Sequence, residues 1–218
     1  MKQIKLNLNN QNQIKLTLEA TSKILKSGGV IIYPTDTIYG IGANAFDEEA
    51  IDKIKKIKSR DKEKPLSVFV KDIKSARRIA CIDLKVEKIL ESIWPGPVTV
   101  VLRKKDVAPY SLTGNRETIA VRIPKNEFVL KLLEKVDFPI IATSANISGE
   151  KNLFNSDEII KQFSKMRINP DLFINSGNIQ NTLASTIIDL TSNIPKIIRM
   201  GLVGKENMKN FFNKFNIN

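Results

Sequence analysis

The chain has 218 residues, 42% hydrophobic and 27% charged, enough for one compact domain around a sizeable core but not for a second full domain. It has no histidine and one cysteine, Cys81, which excludes Ser-His-Asp triads, imidazole-ligated zinc, histidine acid–base pairs, multi-cysteine metal sites and an intrachain disulfide. The formal charge of +12 favours an anionic partner such as a nucleotide or RNA, although a chain-wide enrichment in Lys, Asn and Ile accounts for it equally well.

The opening residues, Met1 to Leu6, alternate polar and apolar, and no run approaches the roughly 18 apolar residues of a membrane span, so a soluble, unexported, cytoplasmic protein with no membrane partner is expected. Cys81 is expected to be a small buried residue. With histidine absent, catalysis must rest on Lys, Arg, hydroxyls and backbone amides. These suit reactions of pre-formed anions that need charge stabilisation more than proton shuttling.

Ile4, Leu6 and Leu8 alternate as a strand, and Ile14, Leu18, Ile24 and Leu25 follow at helical spacing until Gly28-Gly29. Val30–Tyr33 is a strand that ends at Pro34; the chain resumes as a strand from Ile38 to Ala45, and Asp47 caps a helix burying Ala50, Ile51, Ile54 and Ile57. A strand at Leu66–Val70, two helical stretches across Ile73–Ile93 and an apolar strand at Val98–Leu102 come next. Further strands are predicted at Thr118–Ile123, Pro139–Thr143, Leu172–Ile174, Ser185–Leu190 and Lys196–Arg199, with helices near Phe128–Val136 and Ser156–Phe163. The alternation predicts an α/β domain with one large mixed sheet over residues 1–204, and a short amphipathic helix over 205–218, carrying Phe211, Phe212 and Phe215, packed on its edge.

Four segments place chemistry at strand ends. Pro34-Thr35-Asp36-Thr37-Ile38-Tyr39-Gly40 could hold an amino acid or be an ordinary Thr-stabilised turn. The charge run Lys58–Lys64 could grip phosphates or face solvent. Arg122 ends an apolar strand and needs either a structural carboxylate or a ligand anion. Thr143–Gly149 gathers hydroxyls and amides in a plausible phosphate cradle. Gly40-Ile-Gly42-Ala-Asn-Ala45 imitates a dinucleotide fingerprint but reads better as a strand, and Gly201–Lys205 is too short for a Walker loop.

In this order the segments resemble the YrdC-like family. The resemblance joins the run at 34–42, Lys58 with Arg60, Lys64-Pro65-Leu66, Trp94-Pro95-Gly96-Pro97, the strand to Arg122, Ser144 with Asn146, Ser185-Thr186 and Arg199, and covers about residues 14 to 204. It implies a twisted α/β sheet with a concave basic face. The implied activity is that of an L-threonylcarbamoyladenylate synthase: threonine and bicarbonate form a carbamate that attacks the α-phosphate of ATP and releases pyrophosphate. Mg2+ would accompany ATP without a protein ligand, and the product would pass to tRNA-modifying transferase proteins, with tRNA itself a possible partner. Carried over by position, Thr37, Arg122 and Ser185 grip threonine, while Lys58, Arg60, Lys64, Ser144, Asn146 and Arg199 surround ATP, with Thr118 and Asn152 beside the nucleotide. Lys58, Arg60, Ser144 and Asn146 are the expected catalytic set, and neither Lys58 nor Arg60 is expected to support the fold. Trp94–Pro97 is expected to shape a turn.

Asp61 departs from the proline common after the Lys-x-Arg pair, and Phe69 from a histidine of longer members. The chain resembles the short form, without the extra C-terminal domain of the longer synthases. Two rival readings are a non-catalytic module for structured RNA, resting on the charge, and a carbamoyl transferase for another acceptor.

Overall fold

The computed structural model describes residues 1–180, 183–192 and 194–214. In chain order the elements are β1 (Lys2–Lys5), α1 (Gln11–Lys26), β2 (Ile31–Tyr33), β3 (Gly40–Gly42), α2 (Glu48–Ile57), β4 (Ser67–Phe69), α3 (Ile73–Ile79) and α4 (Leu84–Ile93). They continue with β5 (Val98–Arg103), α5 (Tyr110–Thr113), β6 (Thr118–Arg122), α6 (Glu127–Val136), β7 (Ile140–Ile141) and β8 (Thr143–Ser144). The last are α7 (Ser156–Ser164), β9 (Leu172–Asn175), β10 (Thr186–Asp189), β11 (Lys196–Arg199) and α8 (Lys205–Lys214). Asn10, Asp47, Asp72, Asp83, Asn126 and Asn155 each accept a first-turn N–H at a helix start, satisfying donors that the helix cannot.

The strands form two mixed sheets rather than the single large one expected. One runs β1-β9-β2-β3-β8 and the other β11-β10-β5-β6-β4-β7. The reason lies in the segment predicted as one strand at 139–143, which divides at Ala142. Ile140 and Ile141 pair with Phe69 and Val68 of the six-stranded sheet, whereas Thr143 and Ser144 pair with Ile41 and Gly40 of the five-stranded sheet. Ile141 N–H also donates to Ala43 O at 2.9 Å, and Ala142 N–H to Ser67 O at 2.7 Å, so both sheets hold this stretch. Gly42 permits the approach: a Cβ there would lie 2.3 Å from Ile141 O. The buried Tyr33 locks the same place by donating its hydroxyl to Ile141 O at 3.0 Å.

Two apolar cores flank the sheets. In one, Ile51, Ile54 and Ile57 of α2 and Phe163 of α7 pack with Val68, Val100 and Val121; in the other, Leu18 and Leu25 of α1 and Leu132 and Leu133 of α6 pack on Ile31 and Ile174. α8 sets Met208, 1% exposed, into the first core, with Phe211 and Phe212 packed beside it; Phe215 lies outside the described residues. Cys81 is exposed, contrary to expectation, because its neighbours Ala80 and Ile82 take the buried positions while its N–H donates to Arg103 O at 2.8 Å. The four-residue α5 is too short to leave a periodic signal. Among the described residues no helix is long and apolar enough to cross a membrane.

Candidate active site

An open cavity of about 390 Å3 lies where the two sheets face each other. Its floor comes from alternate residues of the six-stranded sheet, which a pleated strand presents on one face: Ser67 and Phe69, Thr99 and Val101, Thr118, Ala120 and Arg122. The opposite wall carries Thr35, Thr37 to Gly40 and the β8 residues Thr143 and Ser144. Four arginines, Arg60, Arg116, Arg122 and Arg199, make the concave face basic.

Arg122 is 2% exposed and donates from all three of its side-chain nitrogens. Its Nη2 donates to Asp36 Oδ2 at 2.5 Å, its Nε to Gly96 O at 2.7 Å and its Nη1 to Thr37 Oγ1 at 3.4 Å. Burial pushes its pKa down and the Asp36 carboxylate opposes that shift. The structural carboxylate and the site position are therefore both present. The cis Trp94–Pro95 turn, with Trp94 Nε1 donating to Val98 O at 2.7 Å, presents the Gly96 carbonyl that Arg122 needs. Thr35 Oγ1 donates to Ile38 O at 2.6 Å and accepts Thr37 N–H at 3.0 Å, so the turn supports itself while placing Thr37 in the lining.

Ser185 forms a second node. Its hydroxyl lies 2.8 Å from Thr99 Oγ1, and its carbonyl accepts Arg199 Nη2 at 2.7 Å. Phe69 stands in the lining with its ring centroid 5.3 Å from the Arg122 guanidinium carbon.

At the other end α2 gives way to the Lys58–Arg60 corner. Ser59 takes a φ of 48°, and this left-handed residue sends the two flanking cations to different places. Arg60 reaches the cavity, donates Nη2 to Pro65 O at 2.8 Å and keeps a buried Nε with no hydrogen-bond partner among the described residues. Lys58 is 1% exposed and lies behind the lining. Its ammonium donates to Ser144 O, to Asn146 O at 2.7 Å and to Asn146 Oδ1 at 3.2 Å, while burial, helped by Arg60, lowers its pKa to about 7. The expectation that Lys58 does not support the fold is thus corrected: it anchors the loop after β8. Asn146, 5% exposed, links Lys58 to Ser144, whose Oγ donates to Asn146 Oδ1 at 2.6 Å.

Of the residues singled out from sequence, Thr37, Arg60, Thr118, Arg122, Ser144, Asn152, Ser185 and Arg199 line the cavity. Lys58 and Asn146 stand behind it, and Lys64 is exposed outside the lining. Gly40 and Gly42 lie within β3, as expected for a strand rather than a dinucleotide turn.

Residues 23–201 match the Sua5/YciO/YrdC family, described as telomere recombination. The chain belongs to that family. A threonylcarbamoyl-AMP synthase of Pyrococcus abyssi is 36% identical over 179 residues, 81% of this chain and 52% of the relative. A putative threonylcarbamoyl-AMP synthase of Methanocaldococcus jannaschii is 36% identical over 89% of this chain and 90% of the relative. Among solved structures, P. abyssi Sua5 complexed with L-threonine superposes with a TM-score of 0.85 at 31% identity, covering 96% of this chain and 60% of that one. E. coli YciO gives 0.79 at 27% identity, covering 92% and 95%. The chain spans about half the length of the P. abyssi synthase.

For this member of the Sua5/YciO/YrdC family, sequence reasoning missed Thr99, Asp189 and Arg116 in the lining. Thr99 had a signal, a hydroxyl interrupting the apolar strand Val98–Leu102. Tyr39, within the predicted 34–40 segment, donates its hydroxyl to Gly177 O at 2.6 Å and ties the wall to the loop after β9. Asp189 and Arg116 enter only through strand register and turn geometry. The lining carries hydroxyls, amides and guanidiniums with one carboxylate, Asp189, and the described residues contain no cluster of three His, Cys, Asp or Glu.

Proposed function

We propose that this cavity makes L-threonylcarbamoyl-AMP and pyrophosphate from L-threonine, bicarbonate and ATP, the reaction of a nucleotidyltransferase, for threonylcarbamoyl modification of tRNA. The observation that carries the reading is the division of charge inside one cavity. Arg122 is balanced by Asp36 and accompanied by the hydroxyls Thr37 and Ser185, with Arg199 bound to Ser185 at the same end, whereas Arg60, toward the Thr118 end of β6, has only the Pro65 carbonyl as a partner among the described residues. A hydroxyl-rich end with one carboxylate-paired guanidinium suits an amino acid, and the guanidinium of Arg60, which no carboxylate offsets among the described residues, suits polyphosphate.

The threonine amine takes up bicarbonate with loss of water to give a carbamate. A carbamate oxygen then attacks the α-phosphorus, and the electron pair of the breaking P–O bond leaves with pyrophosphate. The attacking group is already an anion, so the task is to align two anions and offset their repulsion, which fixed cations and donors perform without histidine. Arg60 and Ser144 face the phosphates; Lys58 and Asn146 hold Ser144 in place. Mg2+ enters as the counter-ion of the ATP phosphates. The product is consumed by a tRNA-modifying transferase in the cytoplasm.

A structured-RNA module is not favoured, since the arginines that made it attractive converge on a cavity of small-molecule volume. The test is direct. Purified chain with threonine, bicarbonate and Mg-ATP is expected to release pyrophosphate and yield the adenylate by mass spectrometry; absence of any threonine-dependent product would refute the reading.

A further inference from the structure

Arg116 stands apart from the other three arginines of the cavity. Arg122 is held by Asp36, Arg60 by Pro65 O and Arg199 by Ser185, whereas Arg116 lines the cavity, is exposed, and has no hydrogen bond or ion pair among the described residues. Its acidic neighbour Glu117 accepts the Tyr110 hydroxyl at 2.9 Å instead. A guanidinium at a cavity wall with no carboxylate to offset it is an anion site in waiting.

Its position is built by the backbone. Gly114 and Asn115 both take a φ of 60°, a left-handed pair that turns the chain from α5 into β6. The turn presses on the Glu63–Pro65 segment so closely that a Cβ on Gly114 would lie 2.0 Å from Glu63 O and 3.2 Å from Pro65 N. Pro65 O is the oxygen that holds Arg60, so the turn that carries Arg116 and the anchor of Arg60 share the same short stretch of chain. Both lie toward the Thr118 end of β6, while Arg122 ends that strand about 13 Å away at roughly 3.3 Å per residue.

On the synthase reading given above, on which this inference rests, the α-phosphate must meet the carbamate formed beside Arg122. What extends toward the Thr118 end is then whatever the α-phosphorus carries beyond it, either adenosine or the β- and γ-phosphates. An exposed cation of the lining, on the turn packed against the segment that anchors Arg60 and with no carboxylate partner among the described residues, selects the polyanion. We propose that Arg116 holds the β- and γ-phosphates of ATP and stays with them as pyrophosphate: as the carbamate oxygen bonds to the α-phosphorus and the bridging P–O bond breaks, the electron pair settles on a group that Arg116 partly neutralises.

Calorimetric titration of the full chain with Mg-ATP, AMP and inorganic pyrophosphate tests this, comparing wild type with Arg116→Ala and Arg116→Lys at matched melting temperature. The expected result is about a tenfold weaker Kd for ATP and pyrophosphate in Arg116→Ala, unchanged AMP binding, and partial recovery in Arg116→Lys. Unchanged ATP affinity in Arg116→Ala overturns the proposal. Equal weakening for AMP and ATP overturns it too, since that is the signature of a contact to the base or α-phosphate. Failure of the wild-type chain to bind ATP at all instead sinks the synthase reading on which the proposal rests.

Discussion

Lys58 Nζ donates to Asn146 O at 2.7 Å, across 88 residues of sequence and from a helix end to a loop. With Ser144 O and Asn146 Oδ1 it completes three acceptors for the three N–H bonds of an ammonium. The return contact, Ser148 N–H to Lys58 O at 2.8 Å, closes a loop in which one residue holds both flanks of the Ser144–Ser148 segment. Lys58→Met keeps much of the side-chain volume and strands those oxygens. It is expected to cost about 2–4 kcal/mol of stability and to reduce ATP affinity by mobilising Ser144. Urea unfolding and ATP titration together check this; a variant of wild-type stability with lost activity would return Lys58 to direct substrate contact.

The same burial sets a pH dependence. Lys58 has a pKa of about 7 in the folded chain against 10.5 in the reference state. Between those values the unfolded chain binds a proton that the folded chain does not, so this residue makes stability rise with pH across that window. Unfolding midpoints from pH 6 to pH 10 should rise more steeply in wild type than in Lys58→Met, and parallel curves would contradict it.

Asp36 and Arg122 form a buried pair, with side chains 12% and 3% exposed. Asp36→Asn keeps the shape, removes the balancing charge and leaves a buried guanidinium. The expected loss is about 3 kcal/mol, with threonine binding weakened far more than ATP binding. Differential scanning calorimetry and separate titrations of the two substrates distinguish this from a general collapse of the site.

Two glycines in left-handed conformations separate strain from clash. Gly149, at a φ of +89°, has nothing within 4 Å of the place a Cβ would take, so Gly149→Ala should cost only about 1–2 kcal/mol of backbone strain. Gly114→Ala adds a 2.0 Å collision with Glu63 O and should cost considerably more. A pair of melting curves decides, and equal losses would show that the turn yields freely.

Most of the fold could be read from sequence where periodicity and caps coincide. The helix at Gln11–Lys26 is marked by apolar residues at helical spacing, and the Glu48–Ile57 helix by its Asp47 cap. The division of the sheet could not be read, because Ile140 to Ser144 is one continuous β-forming run and only tertiary pairing shows that its halves serve different sheets. Within the site, Thr37, Arg122 and Ser144 were visible as polar groups at strand ends. Lys58 was visible but its burial was not: a charge run reads as solvated, and only the left-handed Ser59 separates the buried cation from Arg60. Arg116 was invisible because its place depends on two consecutive left-handed residues and a backbone contact.

The stretch from Ile140 to Ser144, stitched into both sheets, acts as a fixed spine at the back of the cavity. The floor that carries Arg122 and the wall that carries Thr37 and Ser144 cannot open like a clam without tearing ladder bonds on each side of Ala142. The gap between floor and wall is therefore a gauge set at folding, and any tightening of the cavity must come from the loops at the rim.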